Sequence, residues 1–455
     1  MNKSEYNIGI ELLKKESSEF LEKINKIPPN VKVTEKVDIN SISNGLGIEK
    51  AFSLFKEKYG NKISATAGPN YYGFVVGGTT PASLLGDWLT SLYDQCSPVT
   101  DVSNIVENET IEQAKSLFGL SADYSGTLVS GGTVSNLVNL AIARQWLGLQ
   151  YNIDFASKGL TNSNVKISIL SATPHSSILK SMAIIGIGKE NIEFVGTLKD
   201  RETIDINSLR NKLEENKENP IIVIGNAGTV NTGDFDDFLA LKKLKKEFNF
   251  WLHIDAVFGG FANCSSKHKH YLEGWNCADS ISIDAHKWLN VPYDSAFQFT
   301  KHKNLQSQVF QNGKAAYLDD IADSYINLTP ENSRRWRALP IWFSFQAYGI
   351  DGISKMIERN CQMAEQVGSW IDETESLTLL SEVKLNIVCF KVSEQMEFST
   401  ESYLESINET NKVFMTPTNY NGEYVIRIAF SNWSTQLKDI DALLELLNEC
   451  IIKIE

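Results

Sequence analysis

The sequence predicts an α/β fold: a mainly parallel central sheet flanked by helices, with a smaller α+β domain at the C-terminal end. Three observations carry that prediction. From about residue 125 onward, short apolar runs alternate with helical patterns, the rhythm of strand–helix–strand units. Ile221 to Ile224 (IIVI) is wholly apolar between Pro220 and Gly225, as a strand covered on both faces requires. Finally, 455 residues at 42% hydrophobic and 22% charged provide enough apolar surface for more than one core.

Taken in order, the segment from Ser4 to Lys26 places Leu13, Phe20 and Ile24 on a helical stripe and stops at Pro28-Pro29. It is too short for a core of its own, so it is expected to pack on another domain or another subunit. An uncharged, glycine-rich stretch follows (AGPNYYGFVVGGTTPASLLG), then a helix expected over Asp87 to Gln95. Val165 to Leu170, Ile221 to Ile224, Trp251 to Ile254 and Ser280 to Ile283 read as strands, and Asp236 to Phe248 as a helix with a lysine-rich outer face. After Arg337 the chain turns helical, with Trp342, Phe345, Tyr348 and Ile350 among its apolar positions. Asn386 to Val392 and Tyr424 to Phe430 are strands of the last hundred or so residues, which end in a helix. Ala156 to Asn164 and Ser265 to His270 read as surface loops.

Charge and cysteine usage exclude whole classes of function. Lys and Arg number 43 against 56 Asp and Glu, a net charge of −13 without a long basic block, and tracking a phosphate backbone needs a basic footprint. No nucleic-acid partner is expected. The six cysteines, with no CxxC pair, read as reduced thiols packed in a cytoplasmic protein. The opening MNKSEYNIGIELLKKE lacks an apolar signal core, and the uncharged stretches Ile63–Gly86 and Tyr124–Ala143 lack the sustained apolarity of a membrane helix.

Chemistry collects where the expected strands end, the place where sheets of this kind bind ligands. Ser130-Gly131-Gly132-Thr133 runs into a helix, so backbone N–H groups and a hydroxyl could cradle a phosphate, although a glycine loop alone is equally a turn. His175 follows VKISILSATP, and Thr229 follows the strand IIVIG; either could be an ordinary loop residue. Asp255 ends WLHI, where a carboxylate is costly unless something cationic lies opposite, and a structural ion pair would also serve. Lys287 lies just past SISIDAH among apolar and aromatic neighbours, where desolvation makes an amine nucleophilic, although a lysine snorkelling to the surface would fit the same pattern. Together the five fit one ligand, pyridoxal 5'-phosphate. That cofactor needs a lysine for a Schiff base, a carboxylate for the pyridine nitrogen, a flat group against the ring and a helix N-terminus for the phosphate.

At this point the chain resembles the pyridoxal-phosphate-dependent amino-acid decarboxylases of the aromatic-L-amino-acid and glutamate decarboxylase group. The resemblance runs from about Pro69 to Asn432 through SGGTVSN, HSSILKSMAIIGIG, AGTVNTGDFDD, WLHIDAVFGG, DSISIDAHKW and SRRWRALPIWFSFQAYG. It implies the aspartate-aminotransferase-like fold (fold type I) and three units: an N-terminal arm over 1–65, a large cofactor domain over 66–345 and a small domain over 346–455. It further implies Lys287 as the Schiff-base lysine, Asp255 on the pyridinium nitrogen and His175 on the ring face. Gly131, Gly132, Thr133 and His286 would hold the phosphate, with Thr229 and Val257 near the cofactor. Family decarboxylases protonate the product carbon with a tyrosine on a loop before paired arginines, and Tyr325, nine positions before Arg334, has that spacing. Aldehyde-forming relatives tend to carry phenylalanine there, so a tyrosine favours decarboxylation to an amine. Family members are homodimers with shared active sites.

Two features depart from the family. Val257 stands where alanine is usual, and no histidine precedes Pro69. Tyr71, Tyr72 and Phe74 are candidates for an aromatic-lined substrate pocket, and Arg337 or Arg427 for a carboxylate site. The competing readings are transamination or aldehyde synthesis on the same fold and, from another class, a metal-dependent hydrolase using His253, Asp255 and His286. The last lacks HExxH spacing, so no metal is expected.

Overall fold

The computed structural model describes residues 3–33, 45–95, 102–161, 165–312 and 324–454. Its central sheet has seven strands: β1 (Ser125–Val129), β2 (Ser168–Ser171), β3 (Ile192–Phe194), β4 (Ile221–Asn226), β5 (Trp251–Asp255), β6 (Ser280–Asp284) and β7 (Ala296–Thr300). Their order is β1-β7-β6-β5-β4-β2-β3. Strands β2 to β6 pair in parallel, whereas β7 runs antiparallel to both β1 and β6. The carboxyl ends of β1, β2, β4, β5 and β6 therefore share one edge.

Burial on both faces follows from β4 itself. Ile221 and Val223 join one apolar cluster, while Ile222 and Ile224 join another on the opposite side, the period of two that a strand imposes. Each fully buried branched side chain of this kind contributes about 1.5–3 kcal/mol. Strand β7 reads AFQFT: Phe297 and Phe299 stack at 5.8 Å, and Gln298 on the other face is held by Asn139. This strand makes the sheet mixed.

A second, four-stranded antiparallel sheet comprises β8 (Leu377–Leu379), β9 (Ile387–Val392), β10 (Thr416–Tyr420) and β11 (Glu423–Ala429), in the order β10-β11-β9-β8. The helix Ala338–Asp372 joins the two sheets and bends at Gly349, whose φ of 57° lies in the left-handed region open to glycine. Its later half contributes Met363, Val367 and Ile371 to the core of the second sheet.

Helix expectations shift by a few residues. The first helix spans Lys3–Lys23, and the one expected at Asp87 starts at Pro81, where the Thr80 side chain accepts from the Ser83 N–H. The Ser265–His270 segment is not wholly a surface loop. Ser265 and His268 are buried, with the serine hydroxyl 3.0 Å from His268 Nδ1 and 3.1 Å from Glu358.

Candidate active site

The loop after β1 delivers its chain into the helix Gly132–Gln150 at the shared edge. A Cβ on Gly132 would lie 2.7 Å from Val257 Cγ1 and 3.2 Å from both Asp284 carboxylate oxygens, and one on Gly131 would lie 3.2 Å from the His286 ring. Only glycine leaves this cradle open. It forms a cavity of about 360 Å³ that Thr133, His175, Asp284, His286 and Lys287 also line. His286 Nδ1 accepts the Ser295 N–H at 3.2 Å, and burial lowers the ring's pKa, so the neutral imidazole turns an Nε2–H toward the cradle.

A second cavity of about 380 Å³ shares His175, Val257 and Lys287 with the first, making one two-lobed site. Asp255, Thr229, Phe74, Tyr293 and Arg427 line the second lobe. Lys287 Nζ lies 3.2 Å from Asp284 Oδ2. Asp284 is 2% exposed and its Oδ1 has no hydrogen-bond partner among the described residues, an orphaned acceptor in the cradle wall.

Asp255, at the end of β5, is buried. Its Oδ2 accepts from Asn136 Nδ2 at 2.9 Å, while Oδ1 has, among the described residues, only the Val257 N–H at 3.4 Å and so keeps capacity toward the cavity. His175 caps the helix Ser176–Ile184: its Nδ1 lies 2.7 Å from Ser177 Oγ and 3.3 Å from the Ser177 N–H. Burial is the main cause of its lowered pKa. Thr229 is held from behind, its hydroxyl donating to Glu202 at 2.5 Å. His253 has both nitrogens engaged, Nδ1 with Ser280 at 2.9 Å and Nε2 with Asn136 at 3.0 Å, and burial brings its pKa down to about 4. That engagement removes it from the hydrolase reading.

Lys287, Asp255, His175, Gly131, Gly132, Thr133, Thr229, Val257 and His286 thus meet at one site. Of the candidate substrate residues, Phe74 stands at the cavity with half of its surface exposed. Tyr71 packs on Phe414 and Tyr72 on Phe430, both buried and outside the lining of either lobe, because the backbone bridge to Phe414 turns them toward the second sheet. Tyr325 also lies outside both lobes, buried in a short turn with the Arg334 guanidinium 4.1 Å over its ring and its hydroxyl 3.4 Å from the Asn332 carbonyl. The preceding residues 313–323, including Tyr317, fall outside the described residues. Arg337 is ion-paired with Asp294 and Glu331, while Arg427 is buried on the cavity wall, donating to the Val230 carbonyl with its Nε unpartnered among the described residues. Asp284 and Tyr293 line the site and Asn136 backs it through Asp255, and sequence reading gave none of the three a role. Asp284 ends β6 as Asp255 ends β5, and that parallel was the available signal.

The donor set fits pyridoxal 5'-phosphate: a lysine amine, a buried carboxylate with an open oxygen, a flat imidazole, and a glycine-floored helix N-terminus beside an Nε2–H. Fold and site together define a pyridoxal-phosphate enzyme of fold type I. The structure superposes on Rhodiola rosea 4-hydroxyphenylacetaldehyde synthase with a TM-score of 0.89 at 23% identity, covering 100% of this chain and 99% of that one. It superposes on Catharanthus roseus tryptophan decarboxylase with a TM-score of 0.87 at 18% identity, covering 99% and 98%. In sequence, the chain is 27% identical over 406 residues to an aromatic-L-amino-acid decarboxylase of Bacillus atrophaeus, 86% of this chain and 80% of that protein. The pyridoxal-dependent decarboxylase conserved domain matches residues 55–393. The chain belongs to the pyridoxal-dependent decarboxylase family, enzymes of the carboxy-lyase class.

Proposed function

We propose that this protein removes the α-carboxylate of an aromatic L-amino acid as CO2 and releases the amine. The observation that carries the proposal is the convergence of Lys287, Asp255 and His175 on one cavity whose far wall holds the buried cation Arg427. Bound at Lys287, pyridoxal phosphate supplies an electron sink for the pair left when CO2 departs. Asp255 holds the proton on the cofactor's ring nitrogen with its open Oδ1. His175, which lines both lobes, would lie against the ring's face and turn an N–H toward the substrate. The cradle of Gly131, Gly132, Thr133 and His286 anchors the phosphate. Arg427, which has no carboxylate partner among the described residues, receives the substrate's carboxylate, and burial lowers its pKa without threatening its charge. Phe74 and Phe258 offer apolar and aromatic surface, and the Bacillus relative named above acts on aromatic amino acids, which together support that substrate class.

The proposal extends to a homodimer. Tyr6, Ile10 and Leu13 leave the outer side of the first helix apolar and at least half exposed, as a subunit interface requires. Tyr325, outside the lining of both lobes in its own chain, acts as the proton donor for the partner subunit's site. Among the described residues no helix is long and apolar enough to cross a membrane, and the five described cysteines are unpaired, in keeping with the cytoplasm.

The test is to incubate purified protein with the common amino acids and measure CO2, amine, aldehyde and keto acid. Amine and CO2 in equal amounts are expected, with Lys287→Ala inactive. Keto acid without CO2 would overturn the reading, and aldehyde with oxygen uptake would move it to aldehyde synthesis.

A further inference from the structure

Behind the cavity lies a buried hydrogen-bond chain whose polarity fixes itself. Trp251 Nε1, a donor only, reaches Ser280 Oγ at 3.0 Å, and Ser280 Oγ lies 2.9 Å from His253 Nδ1. His253 Nε2 faces Asn136 Oδ1 at 3.0 Å, and Asn136 Nδ2 donates both to Asp255 Oδ2 at 2.9 Å and to Ser177 Oγ at 3.0 Å. Ser177 Oγ in turn lies 2.7 Å from His175 Nδ1. All these side chains except His175 are buried, Asn136 and His253 with 0% exposure.

Each link admits one arrangement. Asp255 can only accept while ionised, so the Asn136 amide must point its NH2 there and its carbonyl oxygen toward His253. A carbonyl oxygen cannot donate, so His253 carries its proton on Nε2. A neutral ring then has a bare Nδ1, which takes the Ser280 proton. On the other branch, the Ser177 backbone N–H can only donate and points at His175 Nδ1 at 3.3 Å, so that nitrogen is bare, and Ser177 Oγ, which accepts from Asn136, gives its own proton to it. His175 is thereby held with its proton on Nε2, toward the cavity.

We propose that Asn136 is a positioning residue that sets the tautomer of His175 and holds the Asp255 carboxylate in one orientation, joining the two cofactor-facing groups through a single amide. It lines neither lobe of the site. The inference rests on the cofactor reading above for its purpose, but the tautomer is a property of the cofactor-free protein and is tested there.

The experiment uses cofactor-free protein labelled with ¹⁵N-histidine, with His175 assigned by comparison with a His175→Gln variant. Wild type is expected to show His175 as the Nε2–H form. Asn136→Leu and Ser177→Ala are each expected to shift it to a mixture of tautomers. After loading, both variants should lose about tenfold or more in kcat, as loss of an orienting partner does elsewhere, with a smaller change in KM. Ser177→Ala leaves the Asn136–Asp255 contact in place and keeps the test open should Asn136→Leu fail to fold. Ser177→Thr, which retains the hydroxyl, should restore the wild-type tautomer. An Nδ1–H form in wild type, or an unchanged tautomer in both variants, overturns the proposal. A protein with no visible band reducible by borohydride at Lys287 overturns the cofactor reading instead, and the tautomer result stands apart from it.

Discussion

Replacing Gly77 with alanine tests how tightly the glycine-rich stretch is fitted over the proposed Schiff-base lysine. A Cβ there would lie 1.9 Å from the Lys287 carbonyl oxygen, where contacts under 3.0 Å are essentially never seen, so the two backbones must part by the difference, about 1.1 Å. Neither side gives easily. Asn290 clamps them together, accepting the Gly78 N–H on Oδ1 at 2.6 Å and the Thr80 N–H on its carbonyl at 3.0 Å, while its own amide donates to the Trp288 and Ser431 carbonyls. Overpacking of this kind costs about 1–3 kcal/mol. Because the obstructed atom belongs to Lys287 itself, the amine moves with it, and a displacement near 1 Å costs about 100-fold in rate. Gly77→Ala should therefore lower the melting temperature of the cofactor-free protein and cut kcat about 100-fold. Gly60→Ala is the control, since its nearest neighbour is the flexible end of Lys56 at 3.4 Å and its φ is −57°. Wild-type melting and kcat within twofold in Gly77→Ala would refute the reasoning.

Three further outcomes are expected. Arg427→Gln should raise KM for the amino acid by about tenfold or more, the worth of a charged hydrogen bond, while leaving the visible band of the loaded protein intact; an unchanged KM would remove Arg427 from substrate binding. Tyr325→Phe should divert product from amine toward aldehyde, read by chromatography, and amine alone at the wild-type rate would exclude Tyr325 as the proton donor. Burial moves His253 from 6.5 to about 4, so its contribution to stability is complete above pH 6.5 and is lost as pH falls through that interval. At 1.36 kcal/mol per unit this is about 3 kcal/mol. The stability difference between wild type and His253→Gln, from denaturant unfolding of cofactor-free protein, should shrink by that amount between pH 6.5 and 4, and a constant difference would count against a buried neutral imidazole.

How far the sequence could be read depended on whether a signal was local. Asp255 and Lys287 are charged residues at the ends of apolar strands, an incongruity visible within ten residues, and the glycine loop precedes an obvious helical pattern. The parallel core was legible for the same reason, since IIVI can hardly be exposed. Strand β7 was harder, because its Phe-Gln-Phe alternation acquires meaning only beside Phe118 and Asn139. Tyr71 and Tyr72 look like pocket aromatics in sequence, yet the chain crosses to the second sheet at Phe414 and carries them away. Asn136 is silent in sequence: an asparagine within a helix has no role until Asp255, His253 and Ser177 are folded around it.

His175 stands in two places at once, closing the first turn of a helix and lining the proposed cofactor site. Histidine is not among the favoured residues at such a cap; serine, threonine, aspartate and asparagine are. Selection for robustness alone would drift toward those residues, each short enough to serve the helix and too short to lie along a ring. The position therefore sets local folding strength against chemistry, joining a weaker cap to a ring-sized side chain at the edge of the proposed cofactor site. An engineer seeking a more heat-tolerant variant should leave position 175 alone and spend changes elsewhere.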